Sequence, residues 1–267
     1  MGRVRLSADR RRSSLTVPLE LGSRESVKLH HFEKIKRSFG RLILLVLFCV
    51  FYPRYYTVDM SSFYFLRHGE SVLNTKSADI VGGRSNYTEL TESGRQQARR
   101  AGRWILAHHL EPDFVMSSPA LRTLQTAEEA LGKNGMDLPL DIIVKDDIQE
   151  LSQGVMEGEP RNLVWTPEVK EELSRDRGGF KFVGGESINE VQERMLRIIE
   201  KYGRSHDNTR YLMVGHGIAI RSLVGLLTEN SQDYIINVLK TSNCSLTAIH
   251  GSKNNWDVEY VGRDIAS

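Results

Sequence analysis

Only two cysteines occur among 267 residues, Cys49 inside an apolar run and Cys244 far downstream, so no disulfide framework is expected and a reducing, cytoplasmic setting is the default. Neither Cys-x-x-Cys nor His-Glu-x-x-His is present, which removes the usual signatures of a structural zinc or a zinc protease. No metal and no cofactor are expected. The unbroken apolar and aromatic run at residues 42–52 has 11 residues, which at helical rise spans about half of a bilayer's hydrocarbon core. Internal repeats and low-complexity segments are absent. The body of the chain also lacks basic blocks interleaved with aromatics, which argues against a nucleic-acid partner.

What charge there is divides unevenly. Residues 1–59 hold 12 Lys and Arg against 5 Asp and Glu, leaving 24 against 29 for residues 60–267. The overall charge of +2 therefore averages a basic tail with a mildly acidic body. Residues 1–59 read as an extension outside the fold, and residues 60–267 as one folded domain. Three readings of the extension stay open: a dispensable or mistranslated leader with translation starting at Met60, an organelle-targeting segment, and membrane attachment through residues 42–52.

From Ser61 onward, short apolar runs alternate with helical periodicity, the pattern of a three-layer α/β/α sandwich with a mostly parallel central sheet. Residues 63–66, 114–116 and 211–214 read as buried strands, and each ends in a polar turn: Arg67-His68-Gly69, Ser117-Ser118-Pro119 and Gly215-His216-Gly217. Ligands of open α/β sheets bind beyond the carboxyl ends of strands, so the three turns are predicted to meet in one crevice. Residues 140–144, 246–250 and 258–261 read as further strands, the last two as a hairpin turning near Asn254-Asn255. Thr91 is placed to cap a helix with Ala98, Ala101 and Ile105 on its buried face. Ser118 and Pro119 resemble an N-cap and first residue of a second helix, with Leu121, Leu124 and Leu131 inward. Ser187 and Glu190 have capping-box spacing before Val191, Met195, Ile198 and Tyr202, and residues 218–227 read as a buried helix.

Two histidines at strand ends, the first preceded by an arginine, suit a phosphoryl-transfer site built on imidazole, although a lone histidine is more often a satisfied core or loop residue. Arg122 falls in the first turn of its predicted helix, where the dipole disfavours a cation unless an anion is bound there. A pairing with a nearby carboxylate is the plainer alternative.

Six spaced motifs then share one order: Arg67-His68-Gly69-Glu70 with Asn74; Leu90-Thr91-Glu92-Ser93-Gly94; Ser117-Ser118-Pro119 with Arg122 and Gln125-Thr126-Ala127; Glu150 with Gly154 and Glu157-Gly158; Gly185-Glu186-Ser187; and Gly215-His216-Gly217. This set resembles the phosphoglycerate-mutase-like branch of the histidine phosphatase superfamily, from about residue 62 to 250. The resemblance implies that His68 is a nucleophile forming a phosphohistidine, that Glu150 is the proton donor, and that Arg67, Arg122, Asn74 and His216 clamp the phosphate. It also implies that Gly82, Gly83 and Arg84 occupy a loop touching the substrate, where Arg84 is placed either to meet a second acidic group or to lie exposed, and that Gly217 borders the site. A histidine attacks in its unprotonated form, which an ordinary imidazole supplies at neutral pH. Arginine forks match phosphate oxygens.

The mutases of this superfamily carry Glu-Arg-His-Tyr-Gly at the acid. Here the segment reads Glu150-Leu151-Ser152-Gln153-Gly154, without the groups that hold a phosphoglycerate carboxylate, and Met156 stands where the mutases have tryptophan. Hydrolysis of a small-molecule phosphomonoester is therefore the expected activity, with mutase transfer as the alternative and a catalytically inactive phospho-ligand binder as a third reading. The substrate's identity and the oligomeric state are not legible.

Overall fold

The computed structural model describes residues 60–75, 79–204, 208–252 and 255–267. The 42–52 run lies outside them, and among the described residues no helix is long and apolar enough to cross a membrane. Six strands form one sheet: β1 (Ser61–Arg67), β2 (Phe114–Ser117), β3 (Ile142–Val144), β4 (Arg210–Gly215), β5 (Leu246–Ser252) and β6 (Asn255–Arg263), in the order β3-β2-β4-β1-β5-β6. The β3-β2, β2-β4 and β4-β1 pairings are parallel, while β5 and β6 add an antiparallel edge.

The sheet is mostly parallel and covered on both faces, as expected. Strand periodicity explains how. Tyr64 and Leu66 point to one face with Val115, Leu212 and Val214, packing beneath α1 (Glu92–Ala107) and α2 (Leu121–Leu131). Phe63 and Phe65 point to the other with Met116, Tyr211 and Met213, beneath α5 (Ile188–Gly203) and α6 (Gly217–Leu227). Both phenylalanines are fully buried, each contributing about 2–3 kcal/mol in area terms. Three shorter helices, α3 (Arg161–Val164), α4 (Pro167–Arg175) and α7 (Gln232–Asn237), lie in the connections.

Local signals set the helix starts. Thr91 accepts a hydrogen bond from the Gly94 N–H, and Ala98, Ala101 and Ile105 are buried. The Ser187–Glu190 capping box forms with both of its bonds.

The second helix departs from expectation. It begins at Leu121 with Ala120 as N-cap, two residues after Ser118, whose hydroxyl oxygen is shared between His216 Nε2 at 2.9 Å and the Ala120 N–H at 3.4 Å. Its buried face is Thr123, Thr126, Ala127, Ala130 and Leu131, with Arg122 and Gln125 also buried, whereas Leu121 and Leu124 are only half-buried. The β3 strand is also shorter than residues 140–144, since the Leu140 N–H bonds back to Leu138 rather than to the ladder. The β5–β6 hairpin is longer than expected on both arms, and its turn at residues 253–254 lies outside the described residues.

Candidate active site

Parallel pairing in register brings the three strand ends together. The His68 N–H donates to the Gly215 carbonyl at 3.0 Å, and the Ser118 N–H donates to the Val214 carbonyl at 3.1 Å. The loop after His68 sits against the start of α1. Gly69 donates to Thr126 Oγ1 and Glu70 to Gln97 Oε1, and a Cβ on Gly94 would collide with the Glu70 carbonyl oxygen. Only glycine permits that approach.

His68 is buried, and its Nδ1 lies 2.8 Å from the Gly69 carbonyl oxygen. A carbonyl only accepts, so Nδ1 carries the proton and the neutral ring presents an unprotonated Nε2. Burial, with the nearby Arg122 and Arg67 guanidinium groups, holds the imidazole pKa well below its ordinary value.

His216 lies behind it, ring centroids 5.3 Å apart. Arg122 Nη2 donates to His216 Nδ1 at 3.2 Å, which leaves Nε2 to donate to Ser118 Oγ at 2.9 Å. Burial, then Arg122 and His68, push the His216 pKa well down too. In this structure His216 is a neutral, fully buried ring, both of whose nitrogens are engaged, and it holds Arg122 in place.

Arg122 is buried, with Nη1 donating to the Arg84 and Ser85 carbonyls at 3.0 and 2.9 Å and Nη2 near the Gly83 carbonyl. The predicted anion pull on this first-turn arginine is met in part by that loop. Arg67 Nη1 donates to the Thr241 carbonyl at 2.6 Å, while its buried Nε has no protein partner. A donor so placed beside His68 suits an oxyanion. Asn74 Oδ1 accepts from Ser71 and from Asn243 Nδ2, which leaves its own Nδ2 free to donate.

Glu150 sits at the start of α6. Its carboxylate accepts from the Leu151 and Ala219 N–H groups at 3.0 Å and from Ile218 at 3.2 Å. This fixes it at a positive helix end. Its loop is held from beneath by Arg194, which donates to the Asp147 and Glu150 carbonyls and to both oxygens of Glu186. Glu157 is consumed by the Arg84, Ser85 and Gln153 N–H groups and the Ser152 hydroxyl, tying residues 84–85 to residues 152–153.

Arg67, His68, Asn74, Gly82, Gly83, Arg122, Glu150 and Gly217 all line one cavity of about 340 Å³. Arg84 does not. Its guanidinium is 3.0 Å from Glu186. Among the described residues no three His, Cys, Asp or Glu side chains converge as a metal-ligand set.

A model of the histidine phosphatase superfamily, branch 1, matches residues 63–264, from within β1 to just past β6. The chain belongs to this superfamily. It is 29% identical over 199 residues to the probable phosphoglycerate mutase GpmB of Photorhabdus laumondii, covering 74% of this chain and 88% of that one. Bacillus stearothermophilus YhfR shares the fold with a TM-score of 0.66 at 23% identity, over 76% of this chain and 97% of that chain. A mycobacterial glucosyl-3-phosphoglycerate phosphatase does so with a TM-score of 0.61 at 21% identity, over 76% and 99%.

Within this member of the histidine phosphatase superfamily, the cavity also contains residues that sequence reasoning passed over: Arg161, Trp165, Arg221 and Thr241. Asn243 joins the His68 carbonyl to Asn74. Arg221 was discoverable, since it follows Gly217 by one helical turn. Arg161, Thr241 and Asn243 stand in connections with no periodic signal.

Proposed function

We propose that this histidine phosphatase hydrolyses phosphomonoesters through a phosphohistidine on His68. One observation carries the reading: Nδ1 of a buried, neutral His68 is committed to the Gly69 carbonyl, so the Nε2 lone pair is ready beside two arginines. Nε2 attacks phosphorus, forming the N–P bond as the ester P–O bond breaks. Glu150 gives its proton to the leaving oxygen. Water then attacks phosphorus, its proton passes to Glu150, and the N–P bond breaks to release inorganic phosphate.

Arg67, Arg122 and Asn74 supply donors to the three phosphoryl oxygens, where charge is spread in the transition state. With two guanidinium groups at the phosphate, the reaction requires no metal ion. The mutase reading is favoured by the names of relatives such as GpmB, and disfavoured by Gln153, which lines the cavity where the mutases carry an aromatic and cationic set.

The test is an acid-free quench of the full chain in mid-turnover with a phosphomonoester, in buffer containing a strong chelator. Base-stable phosphate should map to His68, inorganic phosphate should be released, and His68→Ala should abolish both. Label on another residue, or transfer to phosphoglycerate faster than to water, would overturn the proposal.

A further inference from the structure

One side-chain amide links the nucleophile to a phosphate donor without itself lining the cavity. Asn243 Nδ2 donates to the His68 carbonyl at 3.0 Å and to Asn74 Oδ1 at 3.1 Å, so a single NH2 group spends its two hydrogens on two residues of the site. Both amide orientations are set by backbone groups that have only one role. A carbonyl only accepts, so the Asn243 nitrogen faces His68. A backbone N–H only donates, so the 3.1 Å bond from Ser71 fixes the Asn74 oxygen on the side of Ser71 and Asn243. The Asn74 nitrogen is left as the free donor of a residue that does line the cavity.

The loop that carries Asn243 is fastened to the same strand end on both sides of it. The Thr241 carbonyl accepts from Arg67 Nη1 at 2.6 Å, the Cys244 N–H donates to the Arg67 and His68 carbonyls at 3.1 and 3.3 Å, and the Ser245 carbonyl accepts from the Arg67 N–H at 3.1 Å. Cys244 takes a left-handed backbone with φ of 53°, which a β-carbon disfavours, so its surroundings impose the turn. Arg221 anchors the start of the loop by donating to the Leu239 carbonyl at 3.1 Å. The peptide joining His68 to Gly69 is held at both ends, its oxygen by Asn243 and Cys244 and its N–H by Thr126 Oγ1 at 3.0 Å. The two bonds of Asn243 are therefore not equivalent. Without Asn243 the His68 carbonyl keeps Cys244, but Asn74 Oδ1 keeps only Ser71 of its own turn and loses its tie to the nucleophile.

We propose that Asn243 is a positioning residue for phosphoryl transfer, locking the Asn74 amide in register with His68 so that donor and attacking nitrogen reach the phosphoryl group together. The inference rests on the phosphate-binding part of the reading above. Asn243 touches no substrate and acts through Asn74. Such a tie matters most in the five-coordinate arrangement, where a bond to His68 Nε2 and a hydrogen bond from Asn74 must exist at once. It matters least for a phosphate ion, which settles against whichever donors are presented.

Orthovanadate and inorganic phosphate separate the two situations, because vanadium takes a fifth bond from a histidine nitrogen and phosphate does not. Titration calorimetry on the full chain with each anion gives a ratio of affinities, in which a change of overall charge largely cancels. Asn243→Ala should lower the vanadate-to-phosphate ratio roughly tenfold. Asn243→Asp keeps the shape but donates no hydrogen and adds a charge, so it should weaken both anions and lower the ratio as far. In a chain already carrying Asn74→Ala, adding Asn243→Ala should lower the ratio by less than about threefold. An unchanged ratio in either Asn243 variant, an effect undiminished by Asn74→Ala, binding of neither anion by the unaltered chain, or failure of both variants to give a cooperative melt would each overturn the inference. His68→Ala tests the nucleophile separately: a vanadate preference that survives it sinks the phosphohistidine reading, while Asn243 is still judged by its coupling to Asn74.

Discussion

Arg194 offers the most informative perturbation, because it never enters the cavity yet holds the loop that carries Glu150. Its side chain is 7% exposed and that of Glu186 18%, so the pair is largely desolvated. Arg194→Met keeps much of the packing volume and removes four donated hydrogen bonds, to the Asp147 and Glu150 carbonyls and to the two Glu186 oxygens. Breaking a buried ion pair costs about 3–5 kcal/mol. Glu186 keeps Arg84 and the Ser152 N–H, so the low end applies, about 3 kcal/mol. For a domain of roughly 200 residues this lowers Tm by about 6–12 °C.

Catalysis supplies the reading that lost stability alone does not. If Arg194 positions the acid, then at 20 °C, below the melt, phosphoenzyme formation from an alkyl phosphate should slow at least tenfold, and far less from an aryl phosphate that leaves without a proton. Glu150→Gln should show the same contrast at about a hundredfold, the usual size of a general-acid contribution. In the double variant the second change should add little, since a positioned acid and its positioner act as one unit. Single-turnover quench-flow measures the first step directly. Equal slowing of both esters by Arg194→Met, or full additivity with Glu150→Gln, would refute the positioning role. Equal slowing by Glu150→Gln would refute the acid itself.

Acid should destabilise the fold through the two buried imidazoles. Their folded pKa values lie well below the unfolded value near 6.5, so the unfolded chain binds more protons and stability falls as pH drops through 6.5, by about 1.4 kcal/mol per unit for each ring; urea melts at pH 7.5 and 5.5 should differ by about 3 kcal/mol, and no difference would contradict the assignment. The same depression keeps His68 unprotonated, so phosphoenzyme formation should persist below pH 6 instead of falling with an ordinary imidazole's titration. Gly94→Ala gains about 1 kcal/mol of helix propensity but drives a Cβ into the Glu70 carbonyl, so a net loss of about 1–2 kcal/mol is expected in thermal melts. A raised Tm would show that the contact yields freely.

The sheet was legible where periodicity and burial agree. Phe63, Tyr64, Phe65 and Leu66 form an unbroken apolar run because both faces of β1 are covered, and that run announces a central strand, parallel to β4 and antiparallel to β5. The edges were less legible. Leu140 is apolar enough for a strand, but its N–H turns back to Leu138, and β6 alternates exposed with half-buried residues that read weakly as a strand. The start of α2 was misplaced for a chemical reason. Ser118 and Pro119 have the composition of a cap, yet the Ser118 hydroxyl is shared between His216 and the Ala120 N–H, and the helix begins only at Leu121.

The site shows a similar division, between which residues gather and what state they are in. Motif order placed His68, Arg67, Arg122 and Glu150 around one cavity, because strand ends and a helix start are local features. Whether an imidazole is a cation or an acceptor depends on its neighbours. The sequence put His216 in the clamp without fixing its charge; Arg122 donates to its Nδ1, and a nitrogen that accepts from a guanidinium does not also carry a proton. Arg84 and Arg161 show the same dependence on neighbours. Both are arginines in connections flanking the cavity; one faces Glu186, 102 positions later in the chain, and the other faces no carboxylate among the described residues. Long-range pairing of that kind leaves no trace in local sequence, so charge available for a ligand becomes visible only after every internal partner has been placed.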